Sequence, residues 1–246
     1  MSKLSSQLLA SILVNAIYEM RAYPVILINT LISPLSFLIL IFFVSHGDLL
    51  GVAILGGMIM TMFQSGMFLQ ADLSHLKNDF RLQEMVVASP TGPGTYVAGM
   101  AIAEIVYSSP ALLVLVILFA LFVPVTWFQA TAIAIILLLM FLSSVSLGFA
   151  LSTISSDIVQ SFGFSRLITT LFSTLAPVYY PLTLIPEPFR VLAYLSPTTY
   201  TARLAQALAG FTVVPTEVML MDAAVVISLS AIFLYIGLRK ARWRER

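Results

Sequence analysis

Cysteine is absent from this chain of 246 residues, and charged residues make up only 9% of it. The first absence excludes disulfide bonds, thiolate zinc sites, iron–sulfur clusters and cysteine nucleophiles. The second is far below the roughly 25% of charged residues in an average soluble domain. Because a water-exposed surface needs many charged side chains, most of the 60% of hydrophobic residues must face lipid or one another. The composition therefore predicts an integral membrane protein.

Several functional classes lack their sequence signature. A net charge of +1 provides no basic face for nucleic acid. No lysine follows a glycine, so the chain has no phosphate-binding loop for ATP. The G-x-S-x-G and H-E-x-x-H motifs are also missing, and the two histidines, His46 and His75, are predicted to lie on opposite sides of the membrane. We therefore expect no catalytic, cofactor-binding or metal site on this chain.

Apolar runs of about 20 residues, the length that crosses the hydrocarbon core, recur along the sequence. The fifth run contains Arg166 and ends at Pro181, where a helix has to break. We predict one all-α membrane domain over residues 1–246. Its six transmembrane helices are predicted at 24–45, 49–71, 95–123, 127–154, 158–180 and 218–238.

The basic residues are distributed unevenly between the two predicted sides. One side has only Arg190 and Arg203. The other side has nine: Lys3, Arg21, Lys77, Arg81, Arg239, Lys240, Arg242, Arg244 and Arg246. Because lysine and arginine are retained in the cytoplasm, both termini are predicted to be cytoplasmic. We expect a multi-pass protein of the plasma membrane.

Two cytoplasmic segments outside the spans have patterns of their own. Residues 1–22 place apolar side chains at helical spacing opposite a polar face, which predicts a helix lying in the membrane interface. Residues 72–94 form an inner connection longer than a turn requires, helix-compatible at first and rich in helix breakers at its end. This connection is either a solvated hairpin or a short helix presented to a cytoplasmic partner.

The outer stretch at 181–210 is apolar but interrupted by prolines, so it cannot be one spanning helix. We predict two short helices, at 187–195 and 198–209, with Ser196-Pro197 as cap and first position. Such a re-entrant hairpin at membrane depth needs protein or a water-filled cavity to satisfy its backbone. It either gates a pathway or forms a structural lid on the outer interface.

Three ionisable residues fall within predicted spans: Glu104, Arg166 and Asp222. Each costs about 2.5 to 3.5 kcal/mol or more at the bilayer centre if it is unpaired. Glu104 and Arg166 carry opposite charges near the cytoplasmic ends of their helices, so a structural ion pair is the leading expectation, and a substrate or proton role is the alternative. Asp222 is expected to reach water near the outer end of the sixth span, with no chemistry assigned to it.

Small residues recur at every fourth position of the fourth span. They are Ser144, Gly148, Ser152 and Ser156. Small residues at this spacing let another helix approach closely, so we predict helix packing in preference to a polar pathway.

Two stretches carry a resemblance to a known family: RLQEMVVASPTGPGTYVAG at 81–99 and VYYPLTLIPEPFRVLAYLSPTTYTARLAQALAG at 178–210. Together with the order of the predicted helices, they resemble the permease subunit of type-2 ABC exporters, a family that exports drugs, polysaccharides and lipids. The first stretch looks like the family's coupling segment, and the second is similar to its outer hairpin, although Ser196-Pro197 stands where the family often has Asn-Pro. The matching coupling residues are Arg81, Glu84, Ser89, Pro90, Tyr96 and Gly99. The matching hairpin or gate residues are Tyr180, Pro181, Pro186, Pro197 and Tyr200.

The resemblance implies a homodimer of this permease that encloses an export route for amphipathic cargo. It also implies two copies of a separate ABC ATPase on the cytoplasmic side, which bind ATP and Mg²⁺ and receive the segment around Glu84 in a groove. The first, second and fifth spans are expected to line the route. One alternative is a secondary transporter driven by an ion gradient, with Glu104 or Asp222 carrying the proton. Another is a membrane scaffold or enzyme subunit without transport activity.

Overall fold

The computed structural model describes residues 3–78, 93–155 and 157–240, and the regular elements within these ranges are all helices. The α-helices are α1 Lys3–Ile12, α2 Glu19–Ala22, α3 Pro24–Val44, α4 Leu50–Asn78, α5 Pro93–Phe122, α6 Trp127–Ile154, α7 Ile158–Leu175, α8 Glu187–Ala193, α9 Pro197–Leu208 and α10 Thr216–Lys240. A π-helical segment, Leu13–Tyr18, joins α1 to α2, and a 3-10 turn, Leu182–Leu184, precedes α8. The predicted all-α fold is confirmed for the described residues.

Local sequence signals set several helix starts. Pro24 is the first residue of α3, where a missing N–H has no cost. Thr126 and Gln129 form a reciprocal capping box at the start of α6. Asp157 caps α7, since its Oδ1 accepts a hydrogen bond of 2.7 Å from the backbone N–H of Gln160. These caps allow the chain to reverse direction over short connections.

Within the part of the chain that the structure describes, four helices contain a stretch long and apolar enough to cross a membrane: Leu50–His75, Thr95–Phe122, Trp127–Ile154 and Thr216–Arg239. The shorter apolar stretch Thr30–Val44 lies in α3. Helix α7 has 18 residues and ends at Leu175 rather than at residue 180. Ala176 leaves the helical conformation because it precedes Pro177, and a proline disfavours the α region for the residue before it. These helices support a membrane protein, and a topology of six spans stays a prediction.

Helix α4 forms the centre of the bundle and packs against α3, α5, α6, α7 and α9. Residues 52–63 of this helix are all buried. The buried side chains include Met58, Met60, Met62 and Met67. The glycines of α4 let neighbouring segments approach its backbone closely. A Cβ atom added to Gly56, for example, would overlap the carbonyl oxygen of Val178. Protein rather than lipid therefore surrounds most of α4.

The small-residue ladder of α6 faces α4. Ser144 Oγ lies 3.3 Å from the carbonyl oxygen of Met62, to which it can donate. A Cβ on Gly148 would lie 2.9 Å from the carbonyl oxygen of Gly66. The prediction of close helix packing is confirmed for these two ladder positions, while Ser156 lies outside the described residues.

The N-terminal helical segment packs on α5. A Cβ on Gly99 would lie 2.8 Å from Cβ and Oγ of Ser11, so the two helices cross where neither has a large side chain. Farther along, Ala16 packs with Ala103 and Tyr107 in a small apolar cluster. Residues 3–22 are therefore helical and attached to the bundle, and their location in the membrane interface stays a prediction.

Candidate transport cavity

A cavity of about 530 Å³ lies between α3, α4, α5 and α7. This volume falls within the range of about 300 to 1,000 Å³ that is typical of ligand pockets. Hydroxyl groups line much of it, from Thr30, Ser33, Thr61, Ser65, Ser108, Ser165, Thr169 and Thr170. Aromatic rings of Phe68, Tyr107 and Phe162 complete the wall together with Gln64, Met67, Ala71, Glu104 and Arg166. Helices α3, α4 and α7, which correspond to the predicted first, second and fifth spans, meet at this cavity together with α5. That these helices line an export route stays a prediction.

The hydroxyl groups of the cavity donate to nearby helix carbonyls. Thr61 Oγ1 donates to the carbonyl oxygen of Gly57 at 2.8 Å. Ser65 Oγ donates to the backbone carbonyl of Glu104 at 2.9 Å, across the α4–α5 contact. Because each hydroxyl keeps acceptor capacity after donating, the wall can accept hydrogen bonds from a ligand. The cavity wall is mostly apolar, and these hydroxyl groups add hydrogen-bonding positions to it.

The predicted ion pair between Glu104 and Arg166 is wrong. Glu104 is only 8% exposed, and the charged group near its side chain is the carboxyl group of Asp72 on α4. Arg166 lines the same cavity but is exposed, and the ion pairs found among the described residues do not include it. The physical reason is helix rotation: Glu104 points towards α4.

The prediction that Asp222 reaches water is also wrong. Its side chain is fully buried in an ion pair with Arg203. Arg203 Nε donates to Asp222 Oδ2 at 2.6 Å, and Arg203 Nη2 donates to Asp222 Oδ1. Arg203 Nη1 also donates to the hydroxyl oxygen of Tyr194 at 3.1 Å. The sequence offered a signal, because Arg203 and Asp222 carry opposite charges at the same predicted end of the bundle.

The outer hairpin contains α8 and α9, and a side chain caps the start of α9. Ser196 caps α9 through a hydrogen bond of 3.3 Å from the backbone N–H of Thr198, and Pro197 is the first residue of α9. Tyr200 donates its hydroxyl to the carbonyl oxygen of Tyr194 at 2.9 Å. The other predicted hairpin residues lie before the helices: Tyr180 and Pro181 precede the 3-10 turn, and Pro186 precedes α8. Helix α8 ends at Ala193 rather than at residue 195.

The predicted coupling residues are only partly within the described ranges. Arg81, Glu84, Ser89 and Pro90 lie outside the described residues. Tyr96 is half-buried in the first turns of α5, beside a cluster that contains Leu69 and Phe149. Gly99 lies beneath Ser11 of α1. The first part of the predicted connection at 72–94 continues α4 as far as Asn78.

A buried amide connects α4 to α7 near the predicted cytoplasmic end. Gln70 is fully buried, and its Nε2 donates to the carbonyl oxygen of Ser161 at 3.1 Å. Ser165 Oγ in turn donates to Gln70 Oε1 at 2.6 Å. This site was not predicted, although an amide inside the second predicted span was the available signal. Helix α4, which leads into the inner connection, is thus hydrogen-bonded to α7, which lines the cavity.

Replacing Gln70 with leucine is expected to lower the free energy of unfolding by about 1 to 3 kcal/mol, because Ser165 loses its buried acceptor. Equilibrium unfolding of the purified protein in mixed micelles measures this loss. Ser36→Ala is the matched control, since the exposed Ser36 hydroxyl bonds the carbonyl of its own helix. Equal stability of the two variants would contradict a structural role for Gln70.

Comparison with known families places this architecture. Residues 7–209 match the family described as ABC-2 type transporter, and no curated protein matches the chain. The match runs from α1 to the end of α9, so it includes the cavity and the outer hairpin. It covers well over half of the sequence. The chain therefore belongs to the ABC-2 type transporter family and is a membrane permease subunit.

Proposed function

We propose that this chain is the membrane-spanning subunit of an ATP-driven exporter, which moves an amphipathic cargo such as a drug, lipid or glycan across the plasma membrane. The observation that carries the proposal is the hydroxyl-lined cavity between α3, α4, α5 and α7, in a chain of this family. Two copies of the chain enclose the export route. In each copy, α3 and α7 cross the membrane in addition to α4, α5, α6 and α10, which makes six spans. Both termini of each copy are cytoplasmic.

The energy comes from a separate ATPase, because the chain contains no phosphate-binding loop. Two copies of that ATPase bind ATP and Mg²⁺ on the cytoplasmic side and contact the segment around Glu84. Helix α4 precedes this segment in the chain and helix α5 follows it, and both helices line the cavity. A displacement of the segment is therefore transmitted directly to the cavity wall, as a movement of packed helices.

Gentle purification of the tagged chain from its native membrane tests the central claim. We expect an ATPase subunit in equal amount and ATP hydrolysis by the preparation. A chain that is stable alone and has no ATPase partner would contradict the proposal.

Replacing Glu84 or Pro90 with alanine is expected to reduce cargo export by about tenfold, within the range of about 5- to 150-fold that coupling between two sites supplies. Export by vesicles that contain both subunits is measured in parallel with ATP hydrolysis, which should persist. Glu187→Ala is the control, because it removes an exposed carboxylate from the outer hairpin. Unchanged export in both variants would oppose a coupling role for the segment.

One observation favours a second candidate, an ion-gradient-driven secondary transporter. Glu104 is a buried carboxyl group on the cavity wall, where it could bind and release a proton. In this case the purified chain alone would move cargo when a pH gradient is applied. The proposed exporter instead requires the ATPase and hydrolysable ATP.

A further inference from the structure

The buried end of the cavity carries one carboxyl group, that of Glu104, which is 8% exposed and lines the cavity. Asp72 on α4 is a second carboxyl group nearby, but it is exposed. Among the described residues, arginine ion pairs occur only at Arg190 and Arg203, so none of them includes Glu104. A buried carboxyl group without a cation is costly, because burial opposes its charge. A positively charged ligand would relieve that cost.

The other elements packed around Glu104 add more negative than positive charge. From α2, partial burial raises the pKa of Glu19, and the negative charge of nearby Asp72 raises it further. From α4, His75 lies near Asp72. From α5, the hydroxyl of Tyr107 lies within the fields of all three carboxyl groups. The tyrosine ring adds an aromatic face, which attracts cations.

Arg166 of α7 is the positively charged residue among those lining the cavity. It is exposed, whereas Glu104 is buried. Among the described residues Arg166 forms no ion pair with Glu104, so the buried carboxyl group still lacks a counter-ion. A positive charge at the buried end of the cavity would therefore be stabilised by the carboxyl group of Glu104.

We propose that the cavity binds an amphipathic organic cation, with Glu104 facing its positive group and Phe68, Tyr107 and Phe162 contacting its apolar part. The proposal rests on the proposed function, because it names the chemical class of the cargo. Hydroxyl groups along the wall accept hydrogen bonds from the same ligand where it carries N–H groups.

Two probes of nearly the same shape and opposite charge test the proposal: tetraphenylphosphonium and tetraphenylborate. Their affinities for the purified full chain in detergent micelles are measured by equilibrium dialysis, with empty micelles subtracted. We expect the cation to bind more tightly than the anion. Glu104→Gln should weaken cation binding by about tenfold or more. Glu187→Gln, which removes an exposed carboxylate elsewhere, should have no effect.

Asp72→Asn provides a second variant, with a smaller but measurable loss of cation binding expected, and it decides alone if Glu104→Gln does not fold. Arg166→Gln should leave cation binding unchanged or slightly tighter. The proposal would be overturned by equal binding of the two probes, by anion binding that depends on Arg166, or by unaltered cation affinity in the carboxyl variants. This assay contains no ATPase, so its failure leaves the export measurements intact, and the reverse also holds.

Discussion

Replacement of Asp222 with alanine is expected to destabilise the protein by about 3 to 5 kcal/mol, the usual cost of removing one partner of a buried ion pair. Asp222 is fully buried, and the Arg203 side chain is only 15% exposed. Without the carboxylate, the guanidinium loses both of its charged hydrogen bonds while it stays largely out of water. Equilibrium unfolding in mixed micelles measures the loss.

The chain offers a matched control for this experiment. Glu187 and Arg190 form an ion pair of 3.5 Å in the same hairpin, but the Glu187 side chain is 88% exposed. Removing Glu187 should cost less than about 1 kcal/mol, because water screens the pair. The double variant Arg203→Met with Asp222→Leu should recover most of the stability, since two apolar side chains leave no buried charge. A similar effect of Asp222→Ala and Glu187→Ala would refute the buried-pair interpretation.

Gly66→Ala is expected to destabilise the protein by about 3 kcal/mol, at the upper end of the range for overpacked cores. A Cβ at this position would overlap Ser144 Oγ and would lie 2.7 Å from the backbone nitrogen of Val145. A side chain can change its rotamer, but the backbone of α6 cannot yield without separating from α4. The same unfolding assay detects the change.

Gly163→Ala is the control, since no heavy atom lies within 4 Å of a Cβ added there. Because alanine favours a helix over glycine, this variant should gain up to about 1 kcal/mol. Adding Ser144→Gly to Gly66→Ala should restore only part of the loss, because the contact with the Val145 backbone persists. Wild-type stability of Gly66→Ala would show that α4 and α6 are not in close contact at this point.

Helix positions were predictable where the sequence carries a local signal. The Ser196-Pro197 pair correctly predicted the start of α9, because a cap and a first-turn proline act on neighbouring residues only. The end of α7 was wrong because the break was assigned to Pro181, whereas Pro177 already prevents Ala176 from being helical. The helix therefore ends before the first of the two prolines, whereas the prediction placed its end at the second.

The side-chain partners of the cavity were not predictable in the same way. Helix α5 is apolar around its whole circumference, so no hydrophobic stripe fixes which side faces α4. Glu104 could therefore be assigned to a span but not to a neighbour, and opposite charge favoured Arg166 over Asp72. Gln70 was overlooked for a related reason, because its partners lie on α7, remote in sequence.

The buried methionines of α4 have a consequence for movement. A methionine side chain is unbranched and has three rotatable bonds, so it fills differently shaped spaces at little cost. A helix of leucine and isoleucine would fit its neighbours in one position, and a shift by part of a turn would open voids. Met58, Met60, Met62 and Met67 should lower the cost of a small shift of α4 against its neighbours, because their side chains can refill the space that the shift opens. The packing around the most enclosed helix of the bundle therefore tolerates small movements of that helix.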